Sequence, residues 1–243
     1  MKYKIEAVTW KNTGLFSGIK RLISSVIELE QKEQNPIIYF SFISKYYCNN
    51  EKNIFELLFK QNDRNEKQEY INFSNKITPF LNSGINNCPT KEQKQIANKI
   101  IKKYFIKSDK LTTYIDNHSL NIDIKDYIFV GFRGSDKIKE TKKKYSYDIF
   151  WKRMKEDGKY FLMSEENCFI DQTHKRFDCV SLSQKRITND QSPHQNIIFD
   201  ETMILNLYNQ TMLASECLYQ ITNISNTFDY ISFLNPNKKR IIC

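Results

Sequence analysis

The residues with the plainest chemistry are one arginine and two polar clusters, each following a short apolar run. Tyr127-Ile-Phe-Val130 is β-branched and aromatic and too short for a helix. It gives way at Gly131 and Gly134 around Arg133, and continues through Ser135, Asp136, Lys137, Ile138 and Lys139 to Glu140. A guanidinium delivered to the carboxyl end of a buried strand is a fixed, permanently charged fork suited to a phosphate or diphosphate. Lys159 to Met163 is a second apolar run and ends in Ser164-Glu165-Glu166. Leu218 to Thr222 is a third and ends in Asn223-Ile224-Ser225-Asn226. If the three runs are parallel strands of one sheet, their carboxyl ends share an edge, and a cation, two carboxylates and small polar groups meet in one crevice. A nucleotide suits that set, with Arg133 on the diphosphate, a carboxylate on a ribose hydroxyl or base donor, and Ser225 and Asn226 on phosphate oxygens. Taken singly the clusters have plainer roles: an arginine is commonly a surface ion-pair partner, and an acidic pair after a strand suits a helix first turn.

The elements that must position these residues follow from periodicity. Tyr3 to Val8 alternates like a strand. After the Asn12-Thr13-Gly14 turn, Leu15, Ile19, Leu22, Ile23, Val26, Ile27 and Leu29 recur at helical spacing until Pro36 stops them, and Ile37 to Phe40 is the next strand. Gly14 therefore stands at a helix start, either as a packing turn or as a loop whose amides face a ligand. An apolar cluster spans Ile54 to Phe59, and a helix runs from Thr90 to Phe105, with Gln93 placed to complete a capping box on Thr90. Ser108 to Lys125 is rich in Asp, Asn and Ser and reads as a connection, which divides the chain into domains 1–122 and 123–243. In the second half, helices over Tyr147 to Asp157, Ile170 to Phe177, Asp200 to Ser215 and Phe228 to Phe233 alternate with strands, including a short one at Cys179 to Leu182. That alternation predicts an α/β fold whose second domain is a doubly wound parallel sheet.

Composition sets the outer bounds. With 243 residues, 40% hydrophobic and 14% aromatic, the chain can bury a sizeable core. A formal charge of +9 favours an anionic partner without choosing between nucleic acid, a membrane surface and a phosphorylated small molecule. Cys48, Cys88, Cys168, Cys179, Cys217 and Cys243 form no C-x-x-C pair, so reduced thiols in a cytoplasmic setting are expected rather than a disulfide framework. His118, His174 and His194 stand at no zinc-ligand spacing from a cysteine pair. Met1-Lys-Tyr-Lys-Ile-Glu6 lacks an apolar signal core, and nowhere do about 18 apolar residues run together, so a soluble chain without a membrane span is expected.

Val130-Gly-Phe-Arg-Gly-Ser-Asp-Lys137, with Phe161-Leu-Met-Ser-Glu-Glu166 and Ile221-Thr-Asn-Ile-Ser-Asn226, resembles the donor-binding half of the GDP-fucose-dependent fucosyltransferases, in particular the α1,6 and protein O-fucosyltransferase group. There the pattern is a strand and His-x-Arg-Arg-x-Asp-Lys, a later strand ending Thr-Asp-Asp, and another ending Ser-Ser or Ser-Asn. The resemblance covers about residues 123–240, and the Gly14 loop is similar to the family's first acceptor-side turn. It implies a GT-B fold of two Rossmann-like domains, the first for the acceptor and the second for the nucleotide sugar, working without a bound metal. Arg133 then matches the arginine that binds the GDP diphosphate, with Asp136 and Lys137 as the pair behind it. Glu140 lies one residue from the position of the family's acceptor base. Glu165 and Glu166 take the acidic positions near guanosine, Asn209 stands for an aspartate near the nucleotide, and Ser225 and Asn226 match the last donor contacts. Gly131 replaces the usual histidine and Gly134 the usual second arginine, which leaves the nucleotide-sugar class standing and the sugar open, GDP-fucose first.

The reaction implied is inverting transfer of a sugar to a glycan or protein hydroxyl, with Arg133 on the departing diphosphate and a carboxylate as base. Two other classes of reading stand beside it. A catalytically degenerate nucleotide-binding homologue is favoured by Gly131 and Gly134. A basic nucleic-acid-binding module would use Lys142-Lys-Lys144, Lys152-Arg153 and Lys238-Lys-Arg240, though such runs more commonly form a solvated face. Cys168 and His174 on one helix offer a weaker nucleophile pair with no third group to orient them.

Overall fold

Runs of β-branched and aromatic residues form the strands, and amphipathic segments between them form the helices that cover both faces. A computed structural model describes residues 2–6, 14–44, 46–48, 52–62, 71–73, 88–134, 146–182 and 199–243. The chain divides into two compact units: the described residues within Met1–Gly84, Pro89–His118 and Ile198–Leu205, and those within Ile85–Cys88, Ser119–Ile197 and Asn206–Cys243. Among the described residues, 199–205 group with the first unit and 206–243 with the second.

In the first unit, β1 (Lys2–Glu6), β2 (Ile37–Ser41) and β3 (Ile71–Phe73) form a parallel sheet in the order β2-β1-β3. α1 (Leu15–Lys32) links β1 to β2 and buries Leu15, Ile19, Leu22, Ile23 and Val26, the stripe its spacing predicts. α2 (Ile54–Leu58), α3 (Lys91–Tyr104) and α4 (Asp109–Asn117) complete it. α3 begins with the expected capping box, Gln93 N–H donating to Thr90 Oγ1 at 3.2 Å and Thr90 N–H to Gln93 Oε1 at 2.9 Å. α4 lies where the sequence reads as a connection: Ser108 caps it through Leu111 N–H, and its short apolar stripe of Leu111, Tyr114 and Ile115 is fully buried only at Leu111.

In the second unit, β4 (Ile128–Phe132), β5 (Lys159–Ser164), β6 (Asp178–Ser181), β7 (Gln220–Thr222) and β8 (Arg240–Ile242) form one parallel sheet in the order β6-β5-β4-β7-β8. The chain winds outward from β4 in one direction, then returns to β4's other side, as in a Rossmann-like doubly wound sheet. Ile128, Val130 and Phe132 pack with Phe150 of α5 (Tyr147–Trp151) and Phe169 and Ile170 of α6 (Asn167–His174). Phe129, Phe161 and Met163 face the other way, onto Ala214 of α7 (Glu201–Glu216) and Phe228 and Ile231 of α8 (Asn226–Leu234). Helices on both faces explain why β4 is buried along its whole length.

Three sequence expectations need correction here. β4 does not break at Gly131; the glycine pairs with Met163 and Thr222 and the strand ends at Phe132. A Cβ at 131 would come within 2.5 Å of the Phe228 ring, so the missing side chain makes room for α8 against the sheet. α5 stops at Trp151 rather than Asp157, because the Tyr160 hydroxyl takes both main-chain groups of Lys155 and turns the chain toward β5. The terminal run read as basic leads at Arg240 into β8, whose three residues are too few to show a period.

Candidate nucleotide site at the sheet edge

The strand order reverses between β4 and β7, and a crevice at the carboxyl ends of the two strands is where α/β sheets take ligands. Arg133 follows β4 directly, and Asn223, Ile224 and Ser225 follow β7. β5 lies on the other side of β4, with Ser164 opposite Phe132, so Glu165 comes next to Arg133. The parallel register thus brings together the three strand ends that the sequence singles out.

Arg133 is held at both its main chain and its side chain. Its Nε stands 3.3 Å from a carboxylate oxygen of Glu165, and both side chains are largely buried, at 18% and 15% exposure. Its N–H donates to Asn223 Oδ1 at 3.2 Å, and its carbonyl accepts from Asn223 Nδ2 at 2.6 Å. The side chain of fully buried Asn223, one residue past Thr222, therefore takes the place of a ladder contact to Arg133, two residues past Gly131, where the β4–β7 pairing has ended.

Behind Asn223 lies a buried cation. Arg240 of β8 donates from Nη2 to the Asn223 carbonyl at 3.0 Å, from Nε to Thr222 Oγ1 at 2.8 Å and from Nη1 to Asp229 Oδ1 at 2.8 Å. The Arg240 and Asp229 side chains are 3% and 2% exposed. Arg240 is thus a structural ion-pair partner and not part of a nucleic-acid-binding face. Of the other basic runs, Lys152 and Arg153 are exposed, and Lys142 to Lys144 lie outside the described residues.

The remaining expected site residues are placed as follows. Glu166 begins α6, is buried, and accepts from the Tyr147 hydroxyl at 2.7 Å. Gly134 lies against it: a Cβ there would collide with Glu166 Oε1 and approach the Phe132 ring to 2.7 Å. Ser225 is the N-cap of α8, its Oγ accepting from Phe228 N–H at 3.2 Å, and Asn226 is the first residue of that helix. Asn209 lies within α7, buried, and its side-chain nitrogen has no hydrogen-bond partner. Gly14 caps α1 in the first unit, where Leu15 N–H donates to the Tyr47 hydroxyl at 2.7 Å. Asp136, Lys137 and Glu140 lie outside the described residues.

Sequence reasoning missed Asn223, Tyr147 and Arg240. Asn223 carried a signal, since an amide after a strand is well suited to bind the main chain of its neighbour. Cys168 and His174 both fall on α6, but six positions apart they point about 120° from one another, and His174 meets Ser181 Oγ at 3.3 Å. All six cysteines are free thiols. Burial pushes the Cys217 and Cys179 thiols up to about 12, the latter aided by the neighbouring Asp178 charge. No group of three His, Cys, Asp or Glu among the described residues forms a metal site, and none of the described helices is long and apolar enough to cross a membrane.

No protein-family model and no curated protein matches this sequence. Solved structures do match its fold. The α1,6-fucosyltransferase NodZ soaked with GDP-fucose aligns over 96% of this chain and 93% of its own, with TM-score 0.56 and 12% identity. NodZ co-crystallised with GDP aligns over 96% and 92% with the same score and identity. Fucosyltransferase NodZ from Bradyrhizobium gives 0.52 at 11% identity over 96% and 93%. The architecture of this chain is therefore GT-B-like α/β.

Proposed function

We propose that the chain is a glycosyltransferase that moves a sugar from a nucleoside diphosphate, GDP-fucose first, to a hydroxyl of a glycan or protein acceptor, with inversion and without a bound metal. The observation that carries this reading is Arg133, a guanidinium at the switch point of a doubly wound sheet with its main chain tied to Asn223 and its Nε on Glu165. As the bond from the anomeric carbon to the leaving oxygen breaks, negative charge grows on the diphosphate. A cation already fixed there reorganises little during the reaction, and one such donor is worth about 3 kcal/mol of barrier. The acceptor hydroxyl attacks the anomeric carbon from the opposite side and gives its proton to a carboxylate, Glu140 in this reading. Asp136 and Lys137 support the loop behind Arg133, and Glu165, Glu166 and Asn209 serve the nucleoside end. Ser225 and Asn226 serve the phosphates at the start of α8, and Gly14 belongs to the acceptor-side turn of the first unit.

A thermal-shift panel of nucleoside diphosphates and their sugars tests the donor class. Guanine-selective stabilisation of about 2.7 kcal/mol at a hundredfold excess over Kd is expected. Arg133→Ala should lower turnover about a hundredfold while leaving the melting temperature near that of the parent. Full activity in that variant, or no stabilisation by any nucleoside diphosphate, refutes the reading. A nucleotide-binding homologue without transfer is the second reading, favoured by the Arg133–Glu165 pair, which engages the cation within the chain. Tight GDP binding with neither hydrolysis nor transfer to any acceptor identifies it.

A further inference from the structure

We infer that Asn223 is a positioning residue: its side-chain amide fixes the main chain of Arg133, so that the guanidinium is held at the phosphate side of the switch-point crevice. The inference rests on the reading of Arg133 as the diphosphate-binding cation. Three observations carry it. Both hydrogen bonds made by the Asn223 side chain go to one residue, Arg133, one to its N–H and one from Nδ2 to its carbonyl. They fall past the last β4–β7 ladder pair, Gly131 and Thr222, two residues on along β4, where that pairing no longer fixes the arginine's backbone. Asn223 is itself held from behind, its carbonyl accepting from Arg240 Nη2, and Arg240 is locked by Thr222 and Asp229.

An arginine side chain has four rotatable bonds, so a small rotation of its backbone sweeps the guanidinium through a large arc. Holding N–H and carbonyl together removes that rotation. Glu165 fixes the other end through Nε. The cation is thus restrained at both ends by residues that follow β7 and β5. A displacement of about 1 Å at a reacting centre can cost about 10²-fold in rate.

The test is a double-mutant cycle on GDP affinity and turnover, with melting temperatures as control. Asn223→Ala in the parent should lower kcat roughly tenfold to a hundredfold, and weaken GDP binding by less. In the Arg133→Ala background the same substitution should change neither, because there is no guanidinium left to aim. An equal loss in both backgrounds overturns the inference, since it shows support of the fold or direct contact with the ligand. Asn223→Asp keeps the acceptor for Arg133 N–H but sets an oxygen against the Arg133 carbonyl, and should impair turnover about as much as Asn223→Ala. Should Asn223→Ala unfold the chain, Asn223→Asp takes its place in the cycle. If the parent binds no nucleoside diphosphate and transfers no sugar, the functional reading fails by itself. The positioning role is then read from NMR relaxation of Arg133 Nε–H: increased mobility in either Asn223 variant upholds it, and unchanged relaxation overturns it.

Discussion

Replacing Arg240 by methionine keeps most of the side chain's apolar length and removes three charge-assisted hydrogen bonds, to Thr222 Oγ1, Asp229 Oδ1 and the Asn223 carbonyl. The Asp229 carboxylate, 2% exposed, is then buried opposite an apolar group. Breaking a buried pair from one side costs about 3–5 kcal/mol, most of it the stranded charge. The same principle predicts that Arg240→Met with Asp229→Leu recovers most of the loss, because no charge remains to be paired. What is not recovered reports the bonds to Thr222 and Asn223. Tryptophan fluorescence in urea is a suitable assay, since the chain has two tryptophans and Trp10→Phe leaves only Trp151. Trp151 belongs to the second unit, with Nε1 on Thr173 Oγ1 at 3.0 Å and the Arg176 guanidinium 4.0 Å from its ring centroid. With a slope of about 2 kcal/mol per molar urea, a loss of about 4 kcal/mol moves the midpoint down by about 2 M. A single substitution costing less than about 1 kcal/mol refutes the reasoning. So does a double substitution as damaging as the single one, which would show that the stranded carboxylate is not the cause.

Two further perturbations probe the sheet around the site. Gly131→Ala puts a methyl within 2.5 Å of the Phe228 ring and should destabilise the second unit by about 1–3 kcal/mol, with relief from the added Phe228→Leu; a single change without cost in the same urea assay contradicts the packing argument. At high pH the second unit should weaken, because burial keeps Cys179 and Cys217 protonated up to about 12 and also raises Tyr208 and Tyr230. In each case the folded chain holds a proton that the unfolded chain releases sooner, so the stability is complete below about 9 for the thiols and about 10 for the phenols, and is lost as pH rises toward 12. A urea midpoint that stays flat from pH 8 to 11 on the Trp151 signal counts against it.

The fold was legible where a period or a cap carries it. α1 shows seven apolar positions on one stripe, α3 shows Thr90 and Gln93 at capping-box spacing, and β4 and β5 are unbroken apolar runs because both faces are covered. What was not legible lacked a local signal. α4 buries only Leu111 fully and is otherwise mostly polar, so its composition matches a loop. β8 has three residues, and its Arg240 is buried only because Asp229, eleven positions earlier, turns inward to meet it. For the site, the order of three strand ends was enough to single out Arg133, Glu165 and Ser225. It did not show that Glu165 would pair with Arg133, or that Asn223 would hold the arginine's backbone. Those facts depend on β4, β5 and β7 being neighbours, a long-range property that no window of sequence contains.

The two glycines that depart from the fucosyltransferase pattern have a physical explanation in the same sheet. Gly131 is empty because Phe228 fills the space above it. Gly134 is empty because the Glu166 carboxylate occupies the position a Cβ would need, held there by Tyr147. A second arginine at 134 and a glutamate at 166 are therefore competitors for one volume. The choice of residue at 134 and the position of the Glu166 carboxylate are thus physically coupled. Among the described residues Arg133 is the cation at the end of β4, and two residues from neighbouring strand ends fix its geometry, Asn223 at its main chain and Glu165 at its Nε.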